Sequence, residues 1–138
     1  MIHYTSNLED ISIEMLSGFF VGWPNPPSPS AHMKILEGSY MAWLAIDSDT
    51  DKVVGFISAI SDGILSAYVP LLEVLPGYQN TGIGKQLVAN MLESLKNFYM
   101  VDLLCDKDLQ GYYTKLGMRE ATGMCLRNYN RQSCEEQS

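Results

Sequence analysis

The residues of this chain whose types and spacing could do chemistry gather between Val69 and Leu95. The run Gln79-Asn80-Thr81-Gly82-Ile83-Gly84 places glycines at 82 and 84, where a helix begins. From Ile83 onward, apolar residues recur at Leu87, Val88, Met91, Leu92 and Leu95, the stripe of an amphipathic helix. Glycine carries no Cβ, so an anion can approach the backbone there closely. The first N–H groups of a helix lack intrahelical acceptors and lie at the positive end of its dipole. The chemistry this run allows is anion binding by main-chain donors, beside the plainer reading of an ordinary strand-to-helix turn. Two other glycine loops do not fit. Lys85-Gln86 lacks the Lys-Ser/Thr ending of a Walker loop, and Leu87 occupies the third glycine position of a dinucleotide fingerprint.

Just upstream, the apolar run Val69–Val74 ends at the turn signal Pro76-Gly77. It contains one carboxylate, Glu73, in a setting where desolvation can poise a proton acceptor. Tyr68 lies at the head of the same strand. Pro70 inside it has no N–H for a ladder, so it marks an edge, a bulge or a locally open pairing.

The elements that must position these groups follow in order. Ile2–Thr5 reads as a first strand. Asn7 is placed to cap a helix over Leu8–Leu16, with Ile11 and Met15 buried and Gly18 as its stop. Four prolines between Pro24 and Pro29 exclude regular structure there. The aromatics Phe19, Phe20 and Trp23 beside them are core anchors or the wall of a pocket. Ser30 is expected to cap a second helix over Ala31–Leu36 that ends at Gly38. His3 and His32 lack metal-ligand spacing and read as surface residues. Tyr40–Ile46 and Val53–Ile60 form a hairpin around a polar turn. Its aspartates Asp47, Asp49 and Asp51 lack the glycine and distant glutamate of a calcium loop. Leu65–Val74 is the fourth strand and Tyr99–Leu104 the fifth, parallel to it by a right-handed crossover. Leu109, Tyr112, Tyr113 and Leu116 form a helical stripe closed by Gly117. Glu120–Asn128 is a last strand, and 131–138 is a polar tail expected to be disordered.

This order of elements, about six strands with helices on both faces, resembles the three-layer α/β fold of the GNAT acetyltransferases, over a single domain spanning 1–130. Gln79-Asn80-Thr81-Gly82-Ile83-Gly84 is similar to that family's Q-x-x-G-x-G pyrophosphate loop. Gly111-Tyr112-Tyr113-Thr114-Lys115-Leu116-Gly117-Met118 is similar to its second signature, F-Y-x-K-x-G-F. The resemblance implies a mixed sheet splayed between the fourth and fifth strands. It implies direct transfer of acetyl from acetyl-CoA to an amine, with no acyl-enzyme. Gln79, Asn80, Thr81, Gly82, Ile83, Gly84 and Lys85 would hold the pyrophosphate. Leu72 and Val74 would lie along the pantetheine arm, with the Val74 N–H as oxyanion donor. Tyr113 would serve the departing thiolate, and Tyr112, where phenylalanine is usual, would pack. Asp106 stands near where many members have an asparagine that touches the cofactor. An amine with a lysine-like pKa costs roughly 4.6 kcal/mol to deprotonate at pH 7. That proton needs a base, for which Glu73, Tyr68 and a water relay all stand open. Phe20 and Trp23 would border the acceptor. A non-catalytic acyl-CoA-binding or regulatory protein on the same fold is the rival expectation, since fold does not fix function.

The bulk properties set limits. The 138 residues suffice for one core. A net charge of −7 argues against nucleic acid as a partner. No apolar run reaches membrane-spanning length, and the N-terminus lacks the pattern of a signal peptide, so a cytoplasmic location is expected. Cys105, Cys125 and Cys134 suggest neither a disulfide framework nor a metal site. Residues 1–69 carry a net −6 and residues 70–138 a net −1. That division suits an anionic cofactor on one side and a cationic amine on the other. Nothing in the sequence decides between a monomer and a homodimer.

Overall fold

The architecture is taken from a computed structural model that describes residues 1–135. Its elements are β1 (Ile2–Thr5), α1 (Pro29–Gly38), β2 (Met41–Asp47), β3 (Lys52–Ser61), β4 (Ser66–Val74), α2 (Ile83–Ser94), β5 (Met100–Asp102) and α3 (Gln110–Thr114), with short 3-10 turns between them. The strands form one sheet in the order β1-β2-β3-β4-β5. The first four pair antiparallel, and β5 runs parallel to β4.

The sheet separates two apolar layers. On one face α2 lays Ile83, Leu87, Val88, Met91 and Leu95 against Val54, Ile57, Ala67 and Val69. On the other face Leu16, Phe19, Phe20, Met33 and Leu36 cover Leu44, Val53 and Phe56. Leu44, Val53 and Phe56 are fully buried, each contributing about 1.5–3 kcal/mol of burial.

Two features of β4 shape the site. Its register against β3 slips between Ser58 and Ile60, which pair with Leu71 and Tyr68 respectively. One extra residue is thus accommodated around Pro70, which is exposed. Of the readings open for Pro70, the bulge is the one found, and the stretch left out of the ladder, Val69 and Pro70, includes the residue with no N–H to lose. On the other edge, β4 meets β5 only through Ser66, Ala67 and Tyr68. Beyond Tyr68 the strands part, which is the expected splay.

Four expectations are corrected. The helix over Leu8–Leu16 reduces to a 3-10 turn at Ile13–Leu16. The Asn7 carboxamide accepts only the Glu9 N–H, and the β-branched Ile11 and Ile13 flank Ser12, a residue that favours helix starts over helix interiors. Helix α1 begins at Pro29, and Ser28 rather than Ser30 caps it, accepting the Ala31 N–H at 3.1 Å. Proline suits a first helical position because its missing N–H would be unpaired there anyway. Residues 119–128 form no strand, so the sheet has five strands rather than about six. Finally, His32 is 1% exposed, enclosed by Phe19, Phe20 and Phe56.

The tail expectation falls partly outside the described residues, at 136–138. Ahead of them, the Gln132 side chain accepts the Asn25 N–H at 2.9 Å. Among the described residues no helix is long and apolar enough to cross a membrane.

Candidate active site

The loop before α2 adopts the backbone that its glycines allow. Asn80 and Gly82 both have positive φ, at 63° and 89°. Gly82 caps α2 without any side-chain bond. The first intrahelical bond at this end runs from the Gln86 N–H to the Gly82 carbonyl, so the N–H groups of Ile83, Gly84 and Lys85 are left for an external acceptor. Lys85 is exposed and in no ion pair among the described residues. The Thr81 hydroxyl donates to the Tyr78 carbonyl, and the Tyr78 hydroxyl donates to Asp47 at 2.6 Å. The glycine loop is thereby tied to the β2–β3 turn. That bond, with the Asp49 N–H, holds the Asp47 carboxyl below its usual range.

The open side of β4 faces this helix head. The Leu75 N–H donates to the Val54 carbonyl on β3. Strand alternation then turns the N–H groups of Leu72 and Val74 away from β3, into the gap left by β5. The Gln79 side chain donates to the Val74 carbonyl at 3.0 Å, bridging strand and loop.

A cavity of about 420 Å³ opens on the other side of β4. Phe20, Trp23, Leu72, Glu73, Val74 and Gln79 all line it. Residues 53 positions apart meet here: the Glu73 carboxylate accepts the Phe20 N–H at 2.8 Å and the Val21 N–H at 3.2 Å. Phe20 holds φ at 63°, a conformation costly for a large side chain. Glu73 thus fixes the strained turn that sets the Phe20 and Trp23 rings against each other, centroids 4.9 Å apart. Sequence reasoning gave Glu73 one task; the structure adds this second one. Each carboxylate oxygen has a further lone pair for a ligand. Tyr68 lies outside the lining of this cavity.

The two tyrosines of α3 separate. Tyr113 is buried among apolar residues and lines a second groove beside β5. Burial, and to a smaller degree its neighbours Cys105 and Tyr112, keep its hydroxyl protonated above the usual phenol range. The Tyr112 hydroxyl is buried, with no hydrogen-bond partner among the described residues. A methyl group built on Gly84 would lie 4.0 Å from it and 3.7 Å from a Val74 methyl. Tyr112, assigned only packing by the sequence, points its one polar atom at the head of α2. No sequence signal distinguishes which of two adjacent tyrosines does so.

Residues 8–118 match the model of the acetyltransferase (GNAT) family. A Deinococcus radiodurans R1 crystal structure assigned as an acetyltransferase superposes with a TM-score of 0.92 at 43% identity, covering 96% of this chain and 92% of that one. A GNAT-family acetyltransferase of Streptococcus pneumoniae TIGR4 gives 0.74 at 32% identity, covering 93% and 98%. The chloroplastic GCN5-related N-acetyltransferase 1 of Arabidopsis thaliana is 25% identical over 113 residues, which are 79% of this chain and 57% of that protein. The chain therefore spans little more than half the length of that curated relative. With its splayed mixed sheet and its glycine loop at the head of α2, the chain belongs to the GNAT acetyltransferase family.

Proposed function

We propose that the protein transfers the acetyl group of acetyl-CoA directly to a primary amine bound in the cavity beside Glu73. The observation that carries this is the parting of β4 from β5. It leaves the Leu72 and Val74 N–H groups between an anion-binding helix head and an acidic pocket. A pyrophosphate on the N–H groups of Ile83, Gly84 and Lys85 would direct the pantetheine arm along that gap. The Val74 N–H would then stabilise the thioester oxygen as it gains charge. Glu73 would accept the amine proton on the far side of the strand, and Tyr113 would donate a hydrogen bond to the departing sulfur. Two positions thus serve opposite ends of one displacement. The acidic N-terminal half favours a cationic acceptor.

The test is release of free CoA thiol from acetyl-CoA in the presence of a panel of polyamines, amino acids, aminoglycosides and lysine peptides. Amine-dependent release is expected. Acetyl-CoA binding by calorimetry with no release for any amine would identify a binding protein on the same fold.

Gly84→Val should weaken acetyl-CoA binding at least tenfold in calorimetry, with circular dichroism unchanged. The free protein has ordinary contact distances around that site, so the loss would come from branches placed in the anion's path. Normal affinity in a folded variant would move the pyrophosphate elsewhere.

The two tyrosines should divide kinetically. Tyr113→Phe removes a hydrogen bond that strengthens as charge builds on sulfur, so kcat should fall about 10- to 100-fold with KM for acetyl-CoA little changed. Tyr112→Phe should do the reverse, raising that KM several-fold at constant kcat. It should also leave the free protein as stable or more so, because an unpaired buried hydroxyl disappears. Equal kinetic effects from both would mean that neither hydroxyl has the role given to it.

A further inference from the structure

The cavity beside β4 holds a single ionisable group among the described residues that line it, the Glu73 carboxylate. Gln79 adds an amide, and the rest of the lining is aromatic, aliphatic or proline. No lysine, arginine, histidine or second acid is among those residues. The other acids behind the net −6 of residues 1–69 therefore stand outside it. Asp49 and Asp51 lie in the β2–β3 turn and Asp62 in the turn after β3. They draw cations toward the molecule without holding a second one at the site.

Rigid groups shape this lining. The Phe20 ring packs on Phe56 with centroids 6.1 Å apart and on Trp23 at 4.9 Å, with planes inclined by 63° and 55°. Pro70 and Pro76 contribute rings on backbone of fixed φ. Phe20 and Phe56 are buried, whereas Trp23 is 40% exposed and leaves part of its indole free for a ligand. At about 420 Å³ the cavity stands toward the small end of ligand pockets, which run from about 300 to 1,000 Å³.

This lining discriminates among amines by what they carry besides the reacting nitrogen. The second ammonium of a polyamine would be desolvated against apolar walls with no counter-charge. The carboxylate of a free amino acid would come close to Glu73 with no cation to offset the repulsion. The hydroxyls of an aminoglycoside would leave water for walls that offer few partners. An aromatic ring meets tilted aromatic neighbours, the arrangement such pairs prefer. We propose, resting on the reading of this cavity as the amine site, that the acceptor is a small primary monoamine with an aromatic body and no carboxylate. Its nitrogen lies at Glu73 and its ring against Trp23 and Phe20, which makes Trp23 a specificity residue.

The test compares phenethylamine with putrescine, phenylalanine and the methylamide of Nα-acetyl-lysine, which share the primary amine and differ in charge and body. By CoA thiol release at saturating acetyl-CoA, kcat/KM for phenethylamine should exceed each of the others at least about tenfold. Trp23→Ala should remove most of that advantage by raising KM for phenethylamine, and Trp23→Phe should keep it. Both variants should fold, because the side chain is partly exposed, and circular dichroism checks this. Calorimetry on protein saturated with CoA, which has no acetyl group to transfer, should give the same order of affinities. Absence of thiol release with every amine would sink the transfer reading, and the calorimetric order would still decide the acceptor class. Tighter binding or faster acetylation of any of the other three amines, or a preference that survives Trp23→Ala, would overturn the proposal.

Discussion

Glu73→Gln is expected to lower turnover by about 100-fold or more and to remove the acidic limb of the pH–rate profile. The amine must lose a proton before it can attack, and the carboxylate is the acidic group lining the cavity beside β4. Glutamine keeps the shape and one good acceptor, but its amide nitrogen cannot accept an N–H. Of the two bonds from Phe20 and Val21, one is therefore lost. The wall carrying Trp23 should loosen, and KM for the acceptor should rise alongside the fall in kcat. Acetyl-CoA affinity should not change, because no contact between the Glu73 carboxylate and the cofactor is proposed. Steady-state kinetics across pH 5–9 separate the two tasks. A raised acceptor KM with an intact pH profile would leave Glu73 as the anchor of the loop and pass the proton to Tyr68 or to water.

His32 gives the second large effect, on stability. Its ring is enclosed by aromatic neighbours with neither nitrogen hydrogen-bonded among the described residues, and desolvation pushes its pKa down from 6.5 to about 4. The unfolded chain binds a proton on this ring below about pH 6.5, whereas the folded chain resists it until about pH 4. Proton uptake favours the unfolded state in that window. The contribution of the neutral ring is thus fully present above pH 6.5 and is lost progressively as pH falls toward 4. The loss approaches about 3 kcal/mol, a sizeable share of a typical domain's stability. His32→Leu should abolish it. Melting temperatures of wild type and variant should diverge by roughly 10 °C more at pH 4.5 than at pH 7.5. Parallel pH dependences would mean that the ring finds a solvated state that the folded geometry does not display.

The parts of this molecule that were legible in the sequence are those fixed by local period and turn chemistry. The α2 stripe, the glycine pair before it and the β2–β3 turn each follow from neighbours a few residues away. The splay followed from family resemblance, and the structure places it at Tyr68. What escaped depends on distant partners. The Leu8–Leu16 stripe was too sparse to hold a helix, and the chain turned at Ser12 instead. A lone histidine reads as a surface residue until Phe56, 24 positions away, packs edge-on against it with ring centroids 4.3 Å apart. The meeting of Glu73 with the Phe20 and Val21 N–H groups cannot be seen in any local window. Residues 120–128 have the composition of a strand, but a strand needs a neighbour, and the single chain supplies none.

The extra residue at Pro70 has a consequence for how positions along β4 must be counted. Tyr68 and Glu73 are five apart, an odd number, so in an unbroken strand they would face opposite sides of the sheet. Their partners across the ladder, Ile60 and Phe56, are four apart and share a face. The insertion therefore reverses the phase of every side chain after it and brings Tyr68 and Glu73 to the same face of the sheet, that of the Phe56 layer. Leu71 joins the Phe56 layer and Leu72 the α2 layer by the same shift. One residue fewer at this point would turn the Glu73 carboxylate into the apolar packing of α2 and present leucine to the cavity beside β4. Substitutions at 70 leave that phase untouched. Changes in length there invert the site.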